Sequence, residues 1–289
     1  MSSDLTYSSP ELETSGRIIT PYLPAEEREP VISVKKLKAG YGEKVIINDV
    51  SFEVPQGEIV CLIGGSGCGK STVVRTLVGL LEPMEGEVRV FGKDPNNLEG
   101  GDRIGLLKRT GMLFQNGALL GSMTVADNVA LPLREHTDLP DSIIQRIVAA
   151  KLAMVGLPDA GSLMPAELSG GMRKRASLSR AIALEPELLF CDEPSAGLDP
   201  IVAAGLDETL RSLQRRLGMT MIVVTHELAS IQLIADRVVM LRPGGYVLEQ
   251  GTIDEMNNSA TPEVRDFFGR IAPPEGKIGR SLLTALEEG

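Results

Sequence analysis

One run in this sequence suits a single chemistry, the holding of phosphate. Gly64-Gly65-Ser66-Gly67-Cys68-Gly69-Lys70-Ser71 has the pattern G-x-x-x-x-G-K-[ST]. Glycines let the backbone curl until successive N–H groups face one centre, and a helix that begins there adds its positive end. Lys70 would reach the β- and γ-phosphates of a nucleotide, and the Ser71 hydroxyl would ligate Mg²⁺. The plain alternative is a glycine-rich turn with a surface lysine. The flanks favour phosphate: Glu58 to Ile63 reads as a short buried strand and Thr72 to Val78 as a helix, which is the strand–loop–helix context the motif needs.

Further candidates sit at the ends of apolar runs. Leu188-Leu189-Phe190-Cys191 leads into Asp192-Glu193. This reads as a buried parallel strand delivering two acids at its C-terminal end, where open α/β sheets place ligands. Asp192 is expected to hold Mg²⁺, directly or through water, and Glu193 to polarise the attacking water as general base. A lone Asp-Glu pair is usually a solvated loop; the apolar run and the phosphate loop together point to a hydrolase. His226 ends the strand-like run from Met219 to Thr225 and is placed to sense a γ-phosphate, although a strand-end histidine is more often structural. Gln115 closes Thr110 to Phe114 and can reach a metal or a water, or be a loop residue. Tyr41, on a turn ahead of the phosphate loop, can stack on adenine or fill an ordinary Tyr-Gly turn. Ser169-Gly170-Gly171 before a helix is an anion site on physical grounds.

The elements that must position these residues alternate along the chain. Val31 to Val34, Lys44 to Ile47 and Val50 to Val54 read as strands separated by turns at Gly40, Gly42, Asn48-Asp49 and Pro55-Gln56-Gly57. Together they predict an antiparallel β subdomain feeding the phosphate-loop strand. Glu87 to Phe91 is a further strand, and 93–109 loop and short helix. Residues 116–166 change character: Ile143, Ile144, Ile147 and Val148 share one helical face, capped by Asp141 or Ser142, and His136 falls in a polar loop. The alternating pattern resumes with a helix from Met172 to Leu184, the strand into Asp192, a helix from Ile201 to Arg216, and the strand into His226. Strands Arg237 to Leu241 and Gly245 to Glu249 follow, then a helix start at Thr261-Pro262-Glu263. Residues 1–30, with four prolines, predict a flexible tail. In a second tail, 272–289, Ile278, Leu282, Leu283 and Leu286 at helical spacing suggest a docking segment.

Composition bounds the partners. The 289 residues are 43% hydrophobic, enough for a substantial core, and carry 29 basic against 39 acidic side chains. A net charge of −10 argues against nucleic acid as a partner. Cys61, Cys68 and Cys191 lack metal-ligand spacing and read as reduced thiols of a cytosolic protein. No run approaches the length of a membrane span, and the first residues lack a signal-peptide pattern. The expectation is a soluble chain that meets membranes through a partner.

In this order the motifs resemble those of the nucleotide-binding subunits of ABC transporters. The resemblance runs over about residues 31–270. It is carried by Tyr41, Gly64 to Ser71, Gln115, Leu168-Ser169-Gly170-Gly171-Met172, Leu188 to Asp192, Glu193, Ser195-Ala196-Gly197-Leu198-Asp199 and His226. It implies the ABC ATPase fold: an α/β P-loop, RecA-like core with an antiparallel β subdomain and an inserted α-helical subdomain at about 116–166, in a domain of 31–271. It implies ATP bound by Tyr41, Gly64, Gly65, Ser66, Gly67, Cys68, Gly69, Lys70, Ser71, Thr72, Gln115 and Asp199. Mg²⁺ would lie at Ser71, Gln115 and Asp192, with Glu193 and His226 catalytic. Ser169, Gly170 and Gly171 would complete the ATP site of a second copy, so two chains sandwich two ATP molecules. Met172 departs from the Gln of most of the family, which puts that side-chain contact in doubt.

Phe114 to Leu119, Pro132 to Thr137 and Leu168 to Arg175 narrow the resemblance to the MlaF-like and Mkl-like ATPases paired with MCE proteins. Such ATPases move phospholipid or other lipid between envelope membranes. The resemblance implies an MlaE-type integral-membrane permease, an MCE lipid-binding protein beyond it, in some members a small STAS-domain regulator, and a peripheral place on the cytoplasmic face of the inner membrane. An importer ATPase for a small polar solute is the main alternative. A non-transport ABC ATPase is disfavoured by the absence of heptads or an internal repeat.

Overall fold

The computed structural model describes residues 30–269; both predicted tails lie outside them, apart from Pro30. The chain opens with two twelve-residue strands, β1 (Pro30–Tyr41) and β2 (Lys44–Pro55), paired antiparallel. Then come β3 (Ile59–Gly64), α1 (Lys70–Leu77), β4 (Glu85–Val90), α2 (Gly100–Lys108) and β5 (Thr110–Leu113). The stretch 116–166 holds α3 (Val125–His136) and α4 (Asp141–Met154) and no strand. The rest is α5 (Gly170–Ala181), β6 (Leu188–Asp192), α6 (Pro200–Leu217), β7 (Thr220–Val224), α7 (Leu228–Ile234), β8 (Arg237–Arg242), β9 (Tyr246–Thr252), α8 (Ile253–Asn257) and α9 (Pro262–Phe268).

The nine strands form one sheet in the order β4-β1-β2-β9-β8-β3-β7-β6-β5. From β8 to β5 all neighbours are parallel, as their helical crossovers require. The antiparallel part joins at one residue pair, Asp49 with Tyr246. β3 is buried along its whole length and divides two cores. Ile59, Cys61 and Ile63 face the helices α3 to α7, and Val60 and Leu62 face α1 and the antiparallel strands. α1 packs on β1, β2, β3 and β4, so the antiparallel part closes over the helix that follows the phosphate loop.

Four local expectations are corrected. Asn48-Asp49 is no turn; β2 runs straight through it, because both backbone N–H groups donate to the Gly245 carbonyl (2.9 and 3.4 Å) and long-range pairing outweighs turn propensity. Gly40 likewise lies within β1, paired with Val45. His136 ends α3 instead of lying in a loop; that helix tolerates Pro132, and Thr124 caps it by accepting from the Asp127 N–H. α4 begins at Asp141 with Pro140 before it and no side-chain cap.

Candidate functional site

Strand register gathers the chemistry on one edge. Leu62 pairs with Val224 and Val224 with Asp192, while Cys191 pairs with Leu113 on the next strand. The phosphate loop, Glu193, His226 and Gln115 therefore all leave the sheet within a residue or two of a common level. These are the C-terminal ends of parallel strands, where such sheets bind ligands.

The loop holds its shape through glycine. Gly64 has φ of +144°, and a Cβ there would lie 2.4 Å from the Leu241 carbonyl oxygen and 2.7 Å from the Cys68 sulfur. Lys70 folds back over the loop, its Nζ donating to the carbonyls of Gly64 (2.8 Å) and Gly65 (3.2 Å). Ser66, Gly67 and Ser71 are exposed; Cys68, Gly69 and Thr72 are buried beneath them. Tyr41 closes β1, and its hydroxyl accepts from Arg75 on α1 at 2.7 Å, so the ring stands beside α1 with nearly half its surface exposed.

Glu193 is placed by force. Its φ of +49° lies in the left-handed region that a non-glycine residue enters at a cost of about 1–3 kcal/mol. Its N–H donates to the Val224 carbonyl at 2.9 Å, and its Oε1 lies 2.9 Å from Nδ1 of His226. Oε2 is buried with no hydrogen-bond partner. Burial first, and the neighbouring Glu193 second, push the Asp192 carboxyl above its usual range, while Arg75, Lys174 and Lys70 pull it down. A cation beside Asp192 would relieve the repulsion, and a water at Glu193 would satisfy the orphaned oxygen. Among the described residues no three His, Cys, Asp or Glu form a ready cage. That fits Mg²⁺, which takes one or two carboxylates with phosphate oxygens and keeps waters. Asp192, with the Ser71 hydroxyl and the Gln115 amide, can hold it in that way.

Ser169 caps α5, its Oγ accepting from the Met172 N–H at 3.2 Å, and the first turn of that helix carries no acid to repel an anion. A Cβ on Gly171 would come 2.4 Å from Cγ1 of Val202, so a side chain there would force α5 and α6 to adjust. Met172, in place of Gln, packs against the helical-side core. Asp199 accepts from the Val202 N–H at 3.1 Å and so caps α6. Beneath this segment the buried hydroxyls of Ser195 and Ser230 lie 3.3 Å apart. Ser230 in turn hydrogen-bonds Asp207, whose carboxyl burial pushes up to about 6.

The edge thus gathers Gly64 to Thr72, Gln115, Asp192, Glu193 and His226. Ser169 to Gly171 begin a separate helix, and Tyr41 flanks α1. Two residues were missed: Arg75, and Lys174, which reaches the backbone of Gln115 and Glu193. A signal for Lys174 existed, since it shares a buried helical face with Gly171 and Leu178.

A phosphate loop beside a strained glutamate and a strand-end histidine, on a parallel sheet flanked by an antiparallel layer, marks a P-loop ATP hydrolase of the cassette type. The chain belongs to the ABC transporter family, whose model matches residues 47–196; it binds and hydrolyses ATP. It is 40% identical over 238 residues to "Intermembrane phospholipid transport system ATP-binding protein MlaF" of Haemophilus influenzae, covering 82% of this chain and 90% of that one. The Escherichia coli K12 protein of the same name is 39% identical, over 84% of this chain and 90% of its own length. "Probable ribonucleotide transport ATP-binding protein mkl" of Mycobacterium leprae is also 39% identical, over 89% of this chain and 74% of that one. Among solved structures, the ATP-binding cassette MJ0796, described as a dimer in a post-hydrolysis state bound to ADP and Pi, superposes with a TM-score of 0.70 at 26% identity. It covers 77% of this chain and 98% of its own. CbiO1 of Clostridium perfringens shares the fold, with a TM-score of 0.73 at 24% identity, over 91% of this chain and all of that one.

Proposed function

We propose that two copies of this chain bind two Mg·ATP molecules between them and hydrolyse them to drive phospholipid between envelope membranes. The cargo reading is carried by one observation, the 39–40% identity over more than four-fifths of the chain to proteins named for intermembrane phospholipid transport. Lys70 and the loop N–H groups hold the β- and γ-phosphates, Glu193 takes the proton of the attacking water, and His226 orients the glutamate and faces the γ-phosphate. Mg²⁺, when bound at Ser71, Gln115 and Asp192, would neutralise charge on the transferring phosphate. Ser169 to Gly171 of one copy close over the nucleotide of the other, as MJ0796 is described as a dimer. Closure is then a population shift driven by the contacts ATP makes only in the closed pair.

The membrane partner is an integral permease of the MlaE type, with an MCE protein beyond it and a STAS-domain regulator as a further candidate partner. Among the described residues no helix is long and apolar enough to cross a membrane; the permease would hold the chain at a peripheral place on the cytoplasmic face of the inner membrane. The helical segment 116–166 carries closure to the permease. A second reading, transport of a polar solute, is favoured by the relative named for ribonucleotide transport. Purifying the complex with its permease, and identifying bound small molecules by mass spectrometry, separates the two. Phospholipid is expected; a bound ribonucleotide with no phospholipid would overturn the cargo reading.

A further inference from the structure

The helix that starts at Ser169 carries cations that reach back into the site of its own chain. Lys174, only 7% exposed, sends its Nζ to two carbonyls on different strands' ends: that of Gln115, after β5, and that of Glu193, after β6, at 3.0 Å. Further along, Arg180 donates to the carbonyls of Gly117 (3.0 Å) and Ala118 (2.8 Å). Between them lies Ser177, packed so close that a Cβ on Gly117 would sit 2.5 Å from its Oγ. Residues 115–118 thus ride along one face of α5, gripped at positions three residues apart.

The second carbonyl is the more telling. Glu193 is held in a left-handed conformation, and a strained backbone persists only when its surroundings over-determine it. Val224 ties its N–H; the carbonyl is tied by Lys174 and, at a longer 3.3 Å, by the Ala196 N–H. A charged donor makes the stronger hydrogen bond of the two. Burying an ammonium is unfavourable, and here desolvation lowers its pKa while Glu193 and Asp192 favour its charge. Plain packing would be served by an apolar side chain.

We propose that Lys174 is a positioning residue for hydrolysis, which fixes the backbone of Gln115 and Glu193 from the helix that begins at Ser169-Gly170-Gly171. The inference rests on the paired-chain reading, in which the start of α5 meets the nucleotide held by the second copy. One side chain then links the two ATP sites: engagement of α5 by the partner's nucleotide is felt at the general base of its own chain.

The test uses the full chain, with its permease complex where the chain alone is inactive. Lys174→Met is expected to lower kcat about tenfold to a hundredfold, to leave KM and the affinity for a fluorescent ATP analogue within about threefold, and to bring the Hill coefficient for ATP toward 1. Lys174→Gln, which keeps a donor, is expected to recover part of kcat at a melting temperature matching that of Lys174→Met. Wild-type kcat and Hill coefficient in Lys174→Met would overturn the proposal, as would Gln and Met variants equally impaired. If Lys174→Met does not fold, Lys174→Gln and Lys174→Arg are compared with the wild type; a Hill coefficient unchanged in both, with kcat falling only as far as stability does, overturns it. A wild-type protein without ATPase activity that Glu193→Gln abolishes would instead refute the underlying functional reading.

Discussion

The buried carboxyl of Asp207 makes a prediction with a sign and a size. Asp207 lies on α6 at 2% exposure, with Oδ1 unpartnered and Ser230 as its hydrogen-bond donor. Burial raises its pKa from 3.8 to about 6, with Glu227 adding a smaller push. Below 3.8 the group is protonated in both the folded and unfolded chain and contributes no pH dependence. Between 3.8 and about 6 only the unfolded chain releases the proton, so stability falls as pH rises. Above that, both states are ionised and the penalty is constant, at about 3 kcal/mol. Asp207→Asn keeps the shape and removes the titration. Urea unfolding of wild type and variant should be compared from pH 4 to 8 at raised ionic strength, which screens surface charges far more than this one. The wild-type stability minus that of the variant should fall by about 2.5 kcal/mol between pH 4 and pH 8, most of it below pH 6, and level off above that. Subtracting the variant cancels the other carboxylates. A flat difference, or one that rises with pH, would show that Asp207 is not held neutral by burial.

Three further outcomes follow from the site. Glu193→Gln should bind ATP within a few-fold of wild type while kcat drops about 10²–10⁴-fold; near-normal turnover would remove Glu193 as the base. Lys70→Ala should weaken ATP binding by about 10–100-fold in a titration, the worth of a hydrogen bond to a charged group, and unaltered affinity would contradict the loop assignment. Gly171→Ala should destabilise the protein by about 1–3 kcal/mol by thermal melt, because its Cβ would press on Val202, and Val202→Ala should restore most of that; a Gly171→Ala protein as stable as wild type would mean α5 and α6 can part.

How far the sequence is legible depends on how local the cause is. The run Ile59 to Lys70 specifies strand, loop and helix within a dozen residues, and the apolar stretch before Asp192 announces its own burial, so both were readable. Asn48-Asp49 looked like a turn because the carbonyl that straightens it, Gly245, lies some two hundred residues on. α3 was obscured by Pro132 and by Asn128, a polar residue that is fully buried. Asn128 earns its burial by bonding the backbone of Leu120, Met123 and Thr124, a set of contacts that no periodicity reveals. In the site, residue types nominate side chains that could meet phosphate. They did not foretell the left-handed backbone of Glu193, nor that Tyr41 would be bonded to Arg75, since both depend on geometry between distant elements.

The strand order also dictates a timetable. β3, which leads into the phosphate loop, is flanked on one side by β7 and on the other by β8. Its six apolar-rich residues emerge from the ribosome early, yet its last neighbour ends only at Arg242. At typical synthesis rates of about 5–20 residues per second, that leaves both edges of Ile59–Gly64 without their partners for roughly ten to thirty seconds. Unpaired apolar strand edges invite pairing with other chains. The nascent chain therefore passes through a window in which its phosphate-loop strand stands apolar and unpaired on both edges. ATP cannot protect it there, because the sheet that supports the loop is not yet closed.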